Sequence, residues 1–250
     1  MDNYTSRLAD GVWRIEVGPF TNAYLIAADG HSDRDGLTLV DTGVRRSGPR
    51  LVRSVRLLGL DPRRITDVAL THWHTDHMGS AARFTMSSAT PEVLVGRRDL
   101  PAVNGTQPRP YDAAAAADVT WLGRRLAAVI TPGPAVASPQ PLDDGDVLPR
   151  APRAVVVDSP GHTLGHISLH LPDDGVLLAG DVVSSVGTFT RGFGFTRCAL
   201  THEARTLERL SRLEFDVLAP GHGPPVVKGA QSRLARLAQR AAAARPPSAA

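Results

Sequence analysis

Cysteine and lysine occur once each in this chain, as Cys198 and Lys228, and aromatic residues make up only 5% of it. A lone cysteine excludes an internal disulfide and agrees with a reducing compartment. Long apolar runs are missing too. None approaches the ~20 residues a membrane-spanning helix needs. The opening stretch MDNYTSRLADGVWRIEVG has no basic segment followed by an apolar one, so it does not read as a secretion signal. These absences predict a cytoplasmic protein with no membrane partner. Because lysine is scarce, arginine supplies nearly all the basic charge, and the net charge is only +3. The arginines are scattered rather than gathered into a run interleaved with aromatics, so no nucleic-acid partner is expected.

With 42% hydrophobic and 21% charged residues, the composition is that of a soluble globular protein, and 250 residues suffice for one large domain. Neither a repeat nor a long linker divides it. Residues 1–250 therefore read as one domain with a core at about 12–223, a C-terminal helix at about 229–244 and a frayed tail at 245–250. Short apolar runs bounded by Gly, Pro and Asp read as strands: VWRIEV (12–17), AYLIAA (23–28), LTLVDTG (37–43), DVALTH (67–72) and VLLAGD (176–181). Helical spacing is expected at 48–59, 77–84, 112–128, 200–212 and 229–244. The Pro- and Asp-Gly-rich stretch 132–152 reads as loop.

The stretch THWHTDHMG, residues 71–79, concentrates three of the nine histidines within six positions. It follows a strand and precedes a helical pattern, so it occupies the turn at a strand's carboxyl end, where α/β proteins commonly bind ligands. In an extended segment His72 and His74 project to the same side and converge on one ion. Asp76 and His77 come after the turn and point elsewhere, so one loop can feed two neighbouring metal positions. It cannot complete either: a catalytic zinc takes three protein ligands at about 2.0–2.2 Å and keeps a place for water or substrate. His162 in SPGHTLGH, Asp181 in LLAGD and His222 in APGHG each follow an apolar run and sit beside Gly or Pro, and they are the candidates for the missing ligands.

In that order, THWHTDHMG, SPGHTLGH, LLAGD and PGHG, preceded by TLVDTG (38–43), resemble the motifs of the metallo-β-lactamase superfamily over about residues 12–223. The resemblance implies an α/β (α+β) fold, a four-layer αβ/βα sandwich of two mixed β-sheets flanked by helices. It also implies that His72, His74 and His162 hold a first metal, that Asp76, His77 and His222 hold a second, and that Asp181 bridges them. Two divalent ions are expected, zinc first, with manganese or iron compatible because imidazole and carboxylate suit all three. Asp76 and Asp181 would offset part of their charge. Two such ions lower the pKa of the water between them, and the resulting bridging hydroxide would attack a carbonyl or phosphoryl centre while Asp76 moves the proton to the leaving group.

Departures from the family patterns narrow the expectation. One class of β-lactamases has Cys where Asp181 stands and is normally exported. Typical glyoxalase II enzymes add a helical glutathione-binding domain, whereas 28 residues follow His222 here. The mono-iron persulfide dioxygenases use fewer of these ligands, and the diiron flavoproteins expect a carboxylate at His74. The usual DHxGG reads DHMGS, with Ser80 last. The expected activity is hydrolysis of a small ester-like carbonyl substrate, a thioester or lactone. A nuclease or phosphodiesterase of the same fold and a non-catalytic metal- or ligand-binding relative are the alternatives.

The remaining histidines read differently. His166 reads as a residue that supports the ligands, His170 and His202 as structural, and His31 as exposed. Two readings of 184–200 stand side by side. One is a flexible connector; the other is a lid whose Phe189, Phe193 or Phe195 shields the substrate while Arg191 or Arg197 meets an anionic group. Residues 97–111 are a second candidate for the pocket wall, and Cys198 reads as a small buried residue.

Overall fold

A computed structural model describes residues 4–28, 30, 32–84, 91–107, 131–192 and 200–243. Among the described residues thirteen strands form one continuous, curled, mixed sheet. The first half holds β1 (Thr5–Ala9), β2 (Val12–Gly18), β3 (Thr21–Ala27), β4 (Leu37–Val40), β5 (Ile65–Leu70), β6 (Glu92–Gly96) and β7 (Gln140–Leu142). The second holds β8 (Val147–Leu148), β9 (Ala151–Asp158), β10 (Ile167–Leu171), β11 (Val176–Ser184), β12 (Thr190–Arg191) and β13 (Val217–His222). Strands β4 to β7 run parallel, as do β11 and β13, and the other pairings are antiparallel. The expected two sheets are thus joined, through the single pair Thr21 and His222.

Three clusters of buried apolar side chains account for four layers. The middle one lies between the half-sheets and combines Tyr24, Ile26, Val40 and Ala69 with Val156, Leu169, Leu178 and Ala219. On the outer face of the first half, Leu51 and Val55 of α1 (Gly48–Leu57) pack with Leu25, Leu39, Val68 and Trp73. On the outer face of the second, Leu207 and Leu210 of α5 (Leu200–Leu210) and Leu234 and Ala238 of α6 (Ala230–Ala243) pack with Leu177, Val183 and Leu218. In each helix the apolar residues recur three or four positions apart, which places them on one stripe. The opposite side of α1 carries Arg50, Arg53 and Arg56.

Three expectations change. The stretch 132–152 is not all loop: it contributes the edge strands β7 and β8, and Pro141 is tolerated in β7 because an edge strand can forgo one donor. The helix expected at 77–84 is two single turns, α2 (Thr75–Met78) and α3 (Ala81–Phe84), interrupted at Gly79 and Ser80. A Cβ on Gly79 would lie 2.6 Å from the Arg45 nitrogen, so the chain there presses backbone against backbone. Strand β11 runs past Asp181 to Ser184, with an irregularity at Gly180, whose φ is +50°. The helix expected at 112–128 and the tail at 245–250 lie outside the described residues. Among the described residues no helix is long and apolar enough to cross a membrane.

Candidate metal centre

The seven sequence-predicted side chains converge at one edge of the curled sheet. His72 and His74 follow β5, Asp76 and His77 lie on α2, His162 lies between β9 and β10, Asp181 is inside β11, and His222 ends β13. Alternation along the extended stretch 72–74 sends Trp73 the other way, into the first core cluster beside Met78 and Ala81, which anchors the loop.

His72 Nε2, His74 Nδ1 and His162 Nε2 lie 2.9–3.1 Å from one another. Such a triangle leaves a point about 2 Å from all three nitrogens, the usual zinc–imidazole distance. The proton of His72 is on the far side of its ring. Thr71 Oγ1 donates to Asp41 Oδ2 at 2.7 Å, so it accepts from His72 Nδ1–H at 3.0 Å and leaves the Nε2 lone pair aimed at the triangle. Burial pushes His72 and His162 well below the ordinary imidazole range and lowers His74 to about 4, so all three are neutral near pH 7. Neutral, converging lone pairs are a donor set for a cation.

The second group is charged. His77 Nε2 and His222 Nε2 are 3.3 Å apart, and Asp76 Oδ2 is 3.2 Å from His222 Nε2 and 3.8 Å from His77 Nε2. Asp181 spans the two groups: Oδ1 is 3.4 Å from His77 Nε2, while Oδ2 is 3.4 Å from His162 Nε2 and 3.2 Å from His222 Nε2. Burial alone would lower His77, but Asp181, Asp41 and Asp76 outweigh it and push His77 up to about 9. Burial opposes protonation of His222 as well, and Asp181 and Asp76 push it up to about 11. Burial would raise Asp76 and Asp181, yet the neighbouring imidazoles hold both carboxyls below their usual range. Without metal, these imidazoles balance the carboxylates with protons; a dication at the same place supplies that balance instead.

Two further observations fit a metal. Asp181 Oδ1 is buried without a hydrogen bond, facing the His77 imidazolium at 3.4 Å, and a metal ion would take the place of that charge. Gly221 is the only residue type its position allows, because a Cβ would lie 2.1 Å from that oxygen and 2.8 Å from His77 Cε1.

His166, expected to support the candidate ligands, lies beside Asp181. Its Nε2 accepts the Asp181 backbone N–H at 3.0 Å and its Nδ1–H donates to Ser159 Oγ at 2.8 Å. Burial lowers it to about 4, which keeps that acceptor lone pair free. His170 bonds the Glu214 carbonyl, away from the cluster, and His202 is on α5. Phe189 packs against the third core cluster, and Arg191 pairs with the buried Glu203 at 3.3 Å, so both are engaged within the fold. Phe193, Phe195, Arg197, Cys198 and His31 lie outside the described residues.

Several supporting residues carry no separate role in the sequence reading. Asp41, held at φ +59°, accepts the Thr71 N–H at 2.8 Å, the Thr71 hydroxyl, and His77 Nδ1–H at 2.8 Å. It thereby turns His77 Nε2 toward the cluster. Thr42 holds the His77 carbonyl through both its N–H and its hydroxyl. The signal for both residues was the TLVDTG stretch. Ser80 receives Gly48 N–H on its hydroxyl and donates to the Val44 carbonyl, joining α2 to the start of α1. Asn22 Nδ2 donates to the Pro220 and Gly223 carbonyls at 2.8 and 2.6 Å, and Tyr24 also donates to Pro220, so β3 shapes the turn that carries His222. Burial raises Tyr24 above its ordinary range and keeps that donor proton in place. An asparagine directly before the apolar run AYLIAA was the available sign.

A probable metallo-hydrolase, YflN, of Bacillus subtilis is 27% identical, with 93% of this chain and 91% of the relative covered. The acyl-coenzyme A thioesterase MBLAC2 of Gallus gallus is 33% identical over 67% of this chain and 59% of its own length. The solved structure of TTHA1623 in a di-iron-bound form matches with a TM-score of 0.62 and 26% identity, covering 87% of this chain and 95% of that one. The family model of the metallo-beta-lactamase superfamily matches residues 17–222. The chain belongs to the metallo-β-lactamase superfamily.

Proposed function

We propose that this protein is a two-metal hydrolase acting on a small ester-like carbonyl substrate, a thioester or a lactone. The observation that carries the reading is Asp181, a buried carboxylate with one oxygen facing His77 and the other facing His162 and His222. One carboxylate between two clusters of nitrogens is the arrangement a bridging ligand needs. His72, His74 and His162 would hold one ion, Asp76, His77 and His222 the other. The di-iron form of one relative and the thioesterase name of another support the number of metals and the substrate class, respectively. The imidazole and carboxylate donors suit zinc, and iron or manganese as well.

When bound, the ions supply an activated water and polarise the substrate's carbonyl oxygen. The protein's own contribution is positional. Thr71, Asp41 and His166 fix the orientation of His72, His77 and Asp181. Asp76, with a side chain 36% exposed, reaches solvent from the cluster while the other six are buried, so its ionised Oδ2 is placed to accept a proton and pass it to the leaving group.

The test is a hydrolysis screen over thioesters, lactones, β-lactams and phosphodiesters on metal-analysed protein. Close to two metals per chain and turnover of thioesters or lactones are expected. At most one metal under metal-replete conditions would overturn the dinuclear centre; phosphodiester turnover alone would make it a nuclease, and no turnover a binding protein. Asp76→Asn should lower kcat by about 10²-fold or more, whereas His170→Ala should leave it nearly unchanged. Equal losses would refute the role given to Asp76.

A further inference from the structure

Three imidazoles from two separate loops must meet at one point, yet neither loop holds the other through its ligands. His72 and His74 leave β5 in the first half-sheet, and His162 lies between β9 and β10 in the second. One buried carboxylate joins the two loops. Asp99, fully buried in the turn between β6 and α4 (Leu100–Val103), accepts the Thr163 hydroxyl at 2.6 Å and the Gly165 N–H at 2.8 Å. The Trp73 backbone N–H lies close enough to the same carboxylate to favour its ionised form. Trp73 stands between His72 and His74, and Thr163 directly follows His162.

The approach that makes this possible is built from two glycines. A Cβ on Gly165 would lie 2.2 Å from the Asp99 nitrogen and 2.7 Å from Asp99 Oδ1, and one on Gly96 would lie 2.1 Å from the Gly165 carbonyl oxygen. The end of β6 therefore meets the His162 loop backbone to backbone, with the carboxylate filling the junction. We propose that Asp99 is a positioning residue for the first metal position, clamping the His72–His74 loop to the His162 loop so that the three ring nitrogens are already assembled when a metal arrives. The proposal rests on the reading that these three histidines hold a metal. Removing the clamp frees two loops whose ordering the metal must then supply, and that lowers affinity. Outer partners of metal ligands typically change affinity 10–100-fold.

The experiment measures zinc affinity by competition with a chromophoric chelator, in a His222→Ala background that removes an imidazole from the second position. Asp99→Asn keeps the shape but leaves one acceptor oxygen for three donors; zinc binding should weaken about 10-fold or more. Cobalt bound to the same variant should show altered visible absorption, a change that lost stability by itself would not produce. Asp67→Asn is the control. Asp67 is another buried carboxylate, with Thr38 and Arg150 beside it and neither metal loop among its partners, so zinc affinity should not change. Thr163→Val removes one donor and keeps the carboxylate, and should weaken zinc about threefold; it decides the matter if Asp99→Asn does not fold. Unchanged affinity in the variants, or an equal loss in Asp67→Asn, would overturn the clamp alone. A parent that binds no zinc would overturn the metal reading and the clamp with it.

Discussion

At Gly221 the backbone passes so close to Asp181 that a hydrogen is all the position can hold, since a Cβ would sit 2.1 Å from Oδ1. Gly221→Ala must push the carboxylate, and with it the link between the two groups of nitrogens, out of place. We expect that variant to fold, to lose metal stoichiometry below two per chain, and to lose about 10–100-fold in activity. Metal analysis after dialysis checks it; full stoichiometry would mean that Asp181 can shift without losing its role. Asp41 shows a second kind of local constraint. A non-glycine residue at φ +59° is held there by its surroundings, and its three accepted hydrogen bonds supply the hold. The identities of the seven candidate ligands were legible at this scale because histidine and aspartate were concentrated beside strand ends. The residues that orient them were less so: Thr71 and Asp99 are ordinary polar residues until the fold shows what they touch.

Among the elements, β11 departs most from its sequence signature. A buried run ending at Asp181 reads as a strand that stops at a ligand, but the strand continues to Ser184, and the irregularity at Gly180 falls where Asp181 must be re-aimed. The two α2 and α3 turns replace one helix for a related reason, since Gly79 and Ser80 are engaged by the 42–45 segment instead of by a continuing helix. Longer elements followed their periodicity. The helix expected at 229–244 is Ala230–Ala243, and its apolar stripe of Leu234 and Ala238 covers the second half-sheet. Leu234 is fully buried, so Leu234→Ala should destabilise the protein by about 2–5 kcal/mol, measured by denaturant unfolding. A cost under 1 kcal/mol would show that this helix adds little to the fold. The shortest strands, β7, β8 and β12, were invisible because two or three residues carry no period and take their pairing from neighbours already in place.

For the whole molecule, the closure of the two half-sheets has an electrostatic consequence. It brings His77 and His222 against Asp76 and Asp181, and in metal-free protein their pKa values stand at about 9 and about 11. The unfolded values are about 6.5. Above that pH the folded chain binds more protons than the unfolded one, so stability falls as pH rises. The contribution is complete below about pH 6.5 and is lost as pH passes about 9 and then about 11. The Tm of chelator-treated protein should therefore fall between pH 7 and pH 10. Adding zinc should release protons, raise Tm and flatten that slope. A flat profile in the metal-free protein would mean that these imidazoles are not held as protons' carriers by the carboxylates.

The sequence by itself determined the periodic elements, the class of fold and the seven candidate donors, because these depend on local pattern and on which side chains can bind a cation. Only the tertiary structure brought the candidate donors together, since His162, Asp181 and His222 lie 90, 109 and 150 positions beyond His72 and meet it only when the sheet curls. It also decided which residues hold the donors in place. Thr71 and Asp99 work through hydrogen bonds to groups far away in the chain, and such bonds leave no spacing in the sequence to read.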